Sequence, residues 1–223
     1  VMLTQAEQDQ IERAIQEAER HTSGEIYCVF ERKLEHNDQL PLIWAICAGL
    51  LLPPLIAALE LLAFAPWSAA HIAGIEAYGW RLLSHYVLVQ GACFFLVFGL
   101  VSLGPVRRAL TPRAVKRARA HRAALQHFHA RGLHQTRDRT GVLIFVVEQD
   151  HQIEVIADIG IHSKTPPEAW GQACAALAAG LKAGKASEGF ASAIALCGQL
   201  LAAHFPPRPD DTNELPNRIV VIE

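Results

Sequence analysis

Three carboxylates stand at or near the ends of predicted strands, where side-chain oxygens can gather around a cation. Glu25 opens the first predicted strand, Glu154 lies within the third, and Asp158 follows the third directly. Carboxylate oxygens at the edge of a small sheet are suitable ligands for a hard cation such as Ca²⁺ or Mg²⁺. The sequence favours the competing interpretation, in which these are solvated charges at strand ends. If a site exists, Asp158 is the first candidate, because it lies in a predicted loop and loops carry function more often than cores do.

The motifs of other chemistries are missing from the sequence. No two histidines four apart enclose a carboxylate, which argues against a zinc-protease site. There is no Gly-x-Gly-x-x-Gly, no P-loop and no Gly-x-Ser-x-Gly. Five cysteines, without a Cys-x-x-Cys pair, argue against a disulfide framework or a zinc ribbon and for reduced thiols in the cytosol. The histidines that cluster in and after one basic helix, and for which a metal site is not favoured, are His121, His127, His129 and His134.

One segment of the chain is rich in basic residues, although the net charge is −2, because acidic residues elsewhere in the chain balance its positive charge. We expect this segment to face anionic lipid, where each Lys or Arg adds on the order of 1 kcal/mol to binding. A nucleic-acid patch ranks lower, because the segment follows a long apolar stretch, and no nucleic-acid partner is expected. The residues predicted at the membrane surface are Arg107, Arg108, Arg113, Lys116, Arg117, Arg119 and Arg122.

Two apolar stretches, residues 42–62 and 86–103, lie inside the chain. Residues 42–59 and 86–103 carry no charge, and each is close to the minimum of about 17 residues for a transmembrane helix. The sequence therefore predicts a transmembrane hairpin inserted into a soluble domain. The alternative is a pair of buried core helices, which such long uncharged stretches disfavour in a small domain.

The distribution of charge around the hairpin predicts its orientation. The connection between the stretches, residues 65–85, has Arg81 as its one Lys or Arg, whereas the segment after the second stretch is rich in arginine. The positive-inside rule then places both chain ends in the cytoplasm. The predicted location is a bacterial inner membrane, crossed more than once, with the lipid bilayer as one partner and a membrane protein of unknown identity as another.

The elements around the hairpin form one predicted α/β fold. Their order is helix, strand, hairpin, helix, strand, strand, helix, helix, and a strand–helix–strand connection implies a parallel crossover. The product is a small mixed sheet with flanking helices. The predicted organisation is a first part of the α/β domain at 1–40, the transmembrane hairpin at 41–104, a second part of the domain at 105–205, and a flexible tail at 206–223.

Several segments together resemble the TPM domain family, which is named for a thylakoid lumen protein, a photosystem II repair protein and a nematode receptor modulator. The segments that carry the resemblance are residues 22–26 (TSGEI), 139–146 (RTGVLIFV) and 153–161 (IEVIADIGI). Trp170 and residues 213–217 (NELPN) are similar to a short, membrane-anchored bacterial branch of the family.

The resemblance implies an α/β sandwich. In some relatives it also implies acid phosphatase activity with a divalent metal held by acidic loop residues, for which Glu25 and Asp158 are the candidates here. The sequence is poor in such residues. The leading hypothesis is therefore a membrane-anchored, non-catalytic interaction module for the assembly or maintenance of membrane proteins. The alternative is a weak divalent-metal-dependent acid phosphatase.

Overall fold

The computed structural model describes residues 3–34, 39–64, 69–162, 164–165, 167–208 and 213–222. The chain divides into two compact units, one formed by Val1–Glu35 with Arg113–Glu223 and the other by His36–Pro112.

The first unit is built on a four-stranded mixed sheet in the order β3-β2-β1-β4. β1 pairs in parallel with both β2 and β4, and β2 pairs antiparallel with β3. The predicted mixed sheet, its parallel crossover and its antiparallel hairpin are thus confirmed. The strands are β1 Glu25–Glu31, β2 Gly141–Val147, β3 Gln152–Ala157 and β4 Ile219–Ile222.

Helices cover both faces of this sheet. One core cluster joins inward residues of β1 and β2, such as Phe30 and Ile144, to three helices. A second cluster joins the alternate strand residues, such as Phe145, to the single long helix of the other face, which buries Ala124 and Phe128. The three helices of the first face are α1 Gln5–Glu19, α7 Gly171–Lys182 and α8 Ala186–His204, and the helix of the second face is α5 Arg113–Ala130.

The two inner strands have no solvent face. β2 is buried along its whole length, as its uninterrupted apolar sequence predicts for a strand covered on both sides. β3 lies at the edge of the sheet and is only half-buried. A short helix, α6 Ile159–His162, follows β3 where the sequence predicts a loop.

The end of the chain corrects one sequence prediction. Residues 206–223 are predicted to be a flexible tail, but Ile219–Ile222 form β4 and pair with Cys28–Glu31 of β1. Ile219 is buried, and the Arg32 N–H donates to the carbonyl of Ile222 at 2.8 Å. The preceding polar, proline-rich residues dominate the composition of this segment and conceal a run of four β-branched residues that suits an edge strand.

The second unit is helical. Its first two helices are long, with 26 and 34 residues, and they pack against one another, Gly49 of the first facing Phe94 of the second. Among the side chains of these two helices that the structure describes, most of the large apolar ones are exposed. The helices are α2 Gln39–Phe64, α3 Ala69–Ser102 and α4 Gly104–Leu110.

Candidate functional site

Glu25 and Asp158 lie at the same end of the sheet, on either side of β2. Glu25 pairs in register with Gly141, and the Asp158 N–H donates to the carbonyl of Gly141 at 3.0 Å. Two strand spacings separate the two backbones, which is roughly 10 Å. Both side chains are almost fully buried. The first carboxylate already has a protein donor, because Glu25 Oε1 accepts the backbone N–H of Glu214 at 3.1 Å.

Asp158 acts as the cap of the short helix α6. Its Oδ1 accepts the N–H of Ile159 at 2.7 Å, and its carbonyl accepts the N–H groups of Ile161 and His162, each at 3.0 Å. The other oxygen, Oδ2, is buried and accepts no hydrogen bond from the part of the chain that the structure describes. The residue predicted as the first candidate for a site thus has a clear structural role in addition to one unused oxygen.

Glu154 lies away from the other two carboxylates. It sits four residues before Asp158 on β3, a distance of roughly 13 Å along a strand. Its Oε2 lies 3.2 Å from His121 Nδ1, and its Oε1 lies 3.9 Å from Arg117 Nε. Its carboxylate therefore already faces two basic side chains.

The three predicted carboxylates do not fit a shared metal ion. A hard cation needs about six oxygen ligands close together, and these side chains are separated along and across the sheet. Within residues 3–34, 39–64, 69–162, 164–165, 167–208 and 213–222, no group of three His, Cys, Asp or Glu side chains is placed to hold a metal.

The basic residues predicted at the membrane surface belong to both units. Arg107 and Arg108 lie on α4, and the other five lie on α5. Two residues of α5 reach the β3 side of the sheet: Lys116 Nζ lies 3.9 Å from Asp150 Oδ1, and Arg117 approaches Glu154. The Arg117 side chain nevertheless stays 80% exposed.

His127, one of the histidines that the sequence analysis considers only as a metal ligand, occupies the interface between α5 and the sheet. Its ring stacks on Phe145 with 5.4 Å between centroids, and its Nε2 lies 3.5 Å from Glu31 Oε2. Burial lowers the pKa of His127, and the nearby charge of Arg131 lowers it further. Helical spacing from Ala120 and Ala124 was the available signal, because it puts residues 127 and 128 on the inner side of the helix.

A groove of about 720 Å³ runs along the open edge of β3. Its floor is the strand itself, and α5 and α7 form its two walls. Small residues line the α7 wall, namely Gly171, Cys174, Ala175 and Ala178, whereas Arg117 and His121 line the α5 wall. The sequence analysis missed this groove, because the order of elements does not reveal which strand ends at the edge of the sheet.

Comparisons with known proteins agree with the fold. Residues 108–200 match the family model of the TPM domain. The NMR structure of the BA42 protein from the psychrophilic bacterium Bizionia argentinensis is similar, with a TM-score of 0.58 and 21% sequence identity over 99% of this chain and 96% of that one. At this identity the likeness shows the fold alone. No match was found among curated proteins.

Proposed function

We propose that the chain, of which residues 108–200 match the family model of the TPM domain, is a membrane-anchored interaction module without catalytic activity. In this proposal α2 and α3 span a bacterial inner membrane, and the α/β unit works on its cytoplasmic face. Its role is the assembly or maintenance of a membrane-protein partner.

The exposed apolar surface of the second unit carries the proposal. Of the large apolar side chains that are exposed among the described residues, all but Ile159 and Val221 belong to this unit. Leaving one Leu or Phe side chain in water rather than burying it costs about 1.5–3 kcal/mol, so such a surface needs a cover. Gln39–Ile56 and Leu83–Ser102 are long and apolar enough to span a membrane, with only 22% and 6% of their residues buried.

A third apolar helix provides the contrast. Ala186–His204, which is α8, also meets the length and composition of a span, but half of it is buried. Its inward residues, including Phe190 and Ile194, belong to the core beside the sheet. We therefore assign it to the α/β unit, because its apolar side is already covered by protein.

The pairing of β1 with β2 supports a single side for both ends of the hairpin. β1 precedes α2 and β2 follows α4, yet the two strands pair over seven residues. One folded sheet cannot be assembled from opposite sides of a bilayer. The arginines after α3 favour the cytoplasm as that side.

The positions of the carboxylates favour a binding role over catalysis. Glu25, Glu154 and Asp158 are separated, and each already contacts protein donors. The alternative, a Ca²⁺- or Mg²⁺-dependent phosphatase, has Asp158 Oδ2 as its one supporting observation. Calorimetric titration of the purified chain with each cation separates the two: the interaction module predicts no binding at millimolar metal.

Two experiments test the proposal directly. A reporter fused after residue 223 should behave as cytoplasmic, and the chain should stay in the membrane fraction after carbonate washing; export of the reporter would overturn the topology. The paired substitutions Leu51→Arg and Leu96→Arg, at exposed positions of the spans, should release the chain, whereas Val221→Arg in β4 should not. Hydrolysis of phosphomonoesters by the full chain, lost in Asp158→Ala, would refute the non-catalytic role.

A further inference from the structure

The edge strand β3 presents one free side of its backbone. Along the chain as described, β3 pairs only with β2. The Asp158 N–H donates to Gly141 of β2, and in an antiparallel pair the direction of the backbone groups alternates. The N–H and C=O groups of Glu154 and Ile156 therefore point to β2, and those of Ile153, Val155 and Ala157 point into the groove.

These outward groups form a template for a further strand. No hydrogen bond to them is found within the described residues. Natural sheets protect such an edge by charge, proline, a bulge or a covering element. Here α5 and α7 flank the strand and leave a groove of about 720 Å³ between them. The six residues of β3 span roughly 20 Å, which is enough to pair with a segment of similar length.

The two walls of the groove differ in chemistry. The α7 wall offers Ala175, Ala178 and Cys174, which are small and leave room for aliphatic side chains. The α5 wall offers Arg117 and His121, with His151 and His162 nearby and Glu154 as the one carboxylate among the lining residues. Since side chains alternate along a strand, an added strand would present one set to the apolar wall and the other set to the basic wall.

We propose that the β3 edge binds an extended peptide segment in which apolar residues alternate with acidic ones. The backbone of the segment adds a fifth strand to the sheet, its apolar side chains lie against α7, and its carboxylates face Arg117 and His121. This is strand addition, in which the main chain supplies affinity and the side pockets supply selectivity. The inference deepens the proposed function, on which it rests, by naming the surface that meets the partner.

A second copy of this chain fits the groove less well than a separate peptide does. A copy paired through its own β3 would bring its α5 and α7 to the same edge. Arg117 and His121 of the two copies would then approach one another, and like charges oppose association. A separate peptide brings no flanking helices to this edge, and its acidic side chains complement the basic α5 wall.

The test uses the full chain in lipid nanodiscs and a fluorescein-labelled seven-residue peptide of alternating valine and glutamate. Anisotropy should report saturable binding. A lysine-for-glutamate peptide should bind at least about tenfold more weakly, which is about 1.4 kcal/mol. A peptide methylated on the backbone nitrogens that would face β3 should lose binding altogether, because it cannot donate to the strand.

Matched variants locate the binding site. Arg117→Glu should weaken glutamate-peptide binding about tenfold, whereas Arg122→Glu, outside the groove on the same helix, should not. Ala175→Trp should fill the groove and weaken binding, whereas Ala179→Trp, on α7 but not lining the groove, should leave it unchanged.

Three results would overturn the inference: absence of binding to the wild-type chain, equal binding of the methylated peptide, or self-association of the chain that Val155→Pro abolishes. The last would make a second copy the occupant. Each variant should still fractionate with membranes. Absence of peptide binding to a wild-type chain that is correctly inserted in the membrane would count against the groove alone, whereas export of the reporter would count against the proposed function.

Discussion

Glu154 and His121 are joined across the interface between β3 and α5, with 3.2 Å between Oε2 and Nδ1. The carboxylate is only 14% exposed, and its influence extends to the opposite wall of the groove. Burial raises the pKa of the Cys174 thiol on α7, and the charge of Glu154 raises it further. A single edge residue thus links the electrostatics of both walls.

Removing this charge should activate Cys174. In Glu154→Gln the thiol loses the second cause of its raised pKa and keeps the first, so its pKa should fall part of the way toward the ordinary value. The thiolate fraction at pH 8 should increase, and with it the rate of alkylation by iodoacetamide. Peptide mapping by mass spectrometry distinguishes Cys174 from the other four cysteines.

Asp150→Asn is the matched control for that experiment, because it removes a carboxylate from the adjacent turn that does not act on Cys174. If alkylation of Cys174 by iodoacetamide becomes faster to the same extent in both variants, a general loosening of the structure explains the faster reaction, rather than the loss of the Glu154 charge.

His127 should make folding stability depend on pH. Its pKa in the folded protein is lowered by burial and by Arg131, so the unfolded chain binds the proton more readily. Stability then rises with pH between the lowered pKa and the ordinary value near 6.5, and it falls as the pH drops through that window. In His127→Gln the loss of thermal stability between pH 7 and pH 5 should be smaller than in the wild type.

The control for this variant is His21→Gln, at a surface position beside Glu17 with 71% of the His21 side chain exposed. It should follow the wild-type pH profile. A profile for His127→Gln that is parallel to that of the wild type would show that His127 does not contribute.

Local patterns in the sequence were sufficient for much of the fold. The spacing of Thr4 and Glu7 is typical of a capping box, and the structure forms one, in which the Glu7 carboxylate accepts the Thr4 N–H at 2.8 Å. The three strands between residues 25 and 157 are predictable because their short runs are rich in apolar residues that alternate or follow one another without a break. The crossover rule then orders them.

The parts that could not be predicted depend on long-range pairing. β4 contributes four residues, and it is stabilised by its pairing with β1, 191 positions earlier in the sequence, rather than by the residues next to it. The groove depends on β3 being the edge strand, which is a property of the sheet rather than of residues 152–157. Glu25 and Glu154 lie on the strands that the sequence predicts and Asp158 directly follows one of them, but the separation of the three carboxylates follows from the register of the sheet.

Deletion of residues 219–222 should destabilise the first unit. It removes the pairing of β4 with Cys28–Glu31 and the hydrogen bond from Arg32 to Ile222, and it uncovers the edge of β1. The lost burial of Ile219 alone is worth about 1.5–3 kcal/mol. Denaturant unfolding in detergent measures the change, followed by the fluorescence of Trp170 in a background in which the other three tryptophans are replaced by phenylalanine. The substitution Val221→Thr, at an exposed position of the same strand, should cost less than about 0.5 kcal/mol.

The contact between α7 and α8 should not tolerate a methyl group. A Cβ on Gly180 would overlap the Cα of Gly189 and would lie 2.8 Å from the backbone nitrogen of Gly189 and 3.0 Å from the carbonyl oxygen of Lys185. Both obstacles are backbone, so the helices must separate. Gly180→Ala should therefore lower the free energy of unfolding by about 1–3 kcal/mol, although alanine has the higher helix propensity.

Gly171→Ala on the same helix is the control that separates the steric cost of the added methyl group from the gain in helix propensity. A Cβ at Gly171 meets no atom within 4 Å, so this variant should be neutral or slightly stabilising. Gly189→Ala should be destabilising, because its Cβ would lie 3.1 Å from the Cα of Gly180. Since one contact causes both losses, the double variant should cost less than the sum of the two single variants. Strict additivity would mean that the two glycines do not share this contact.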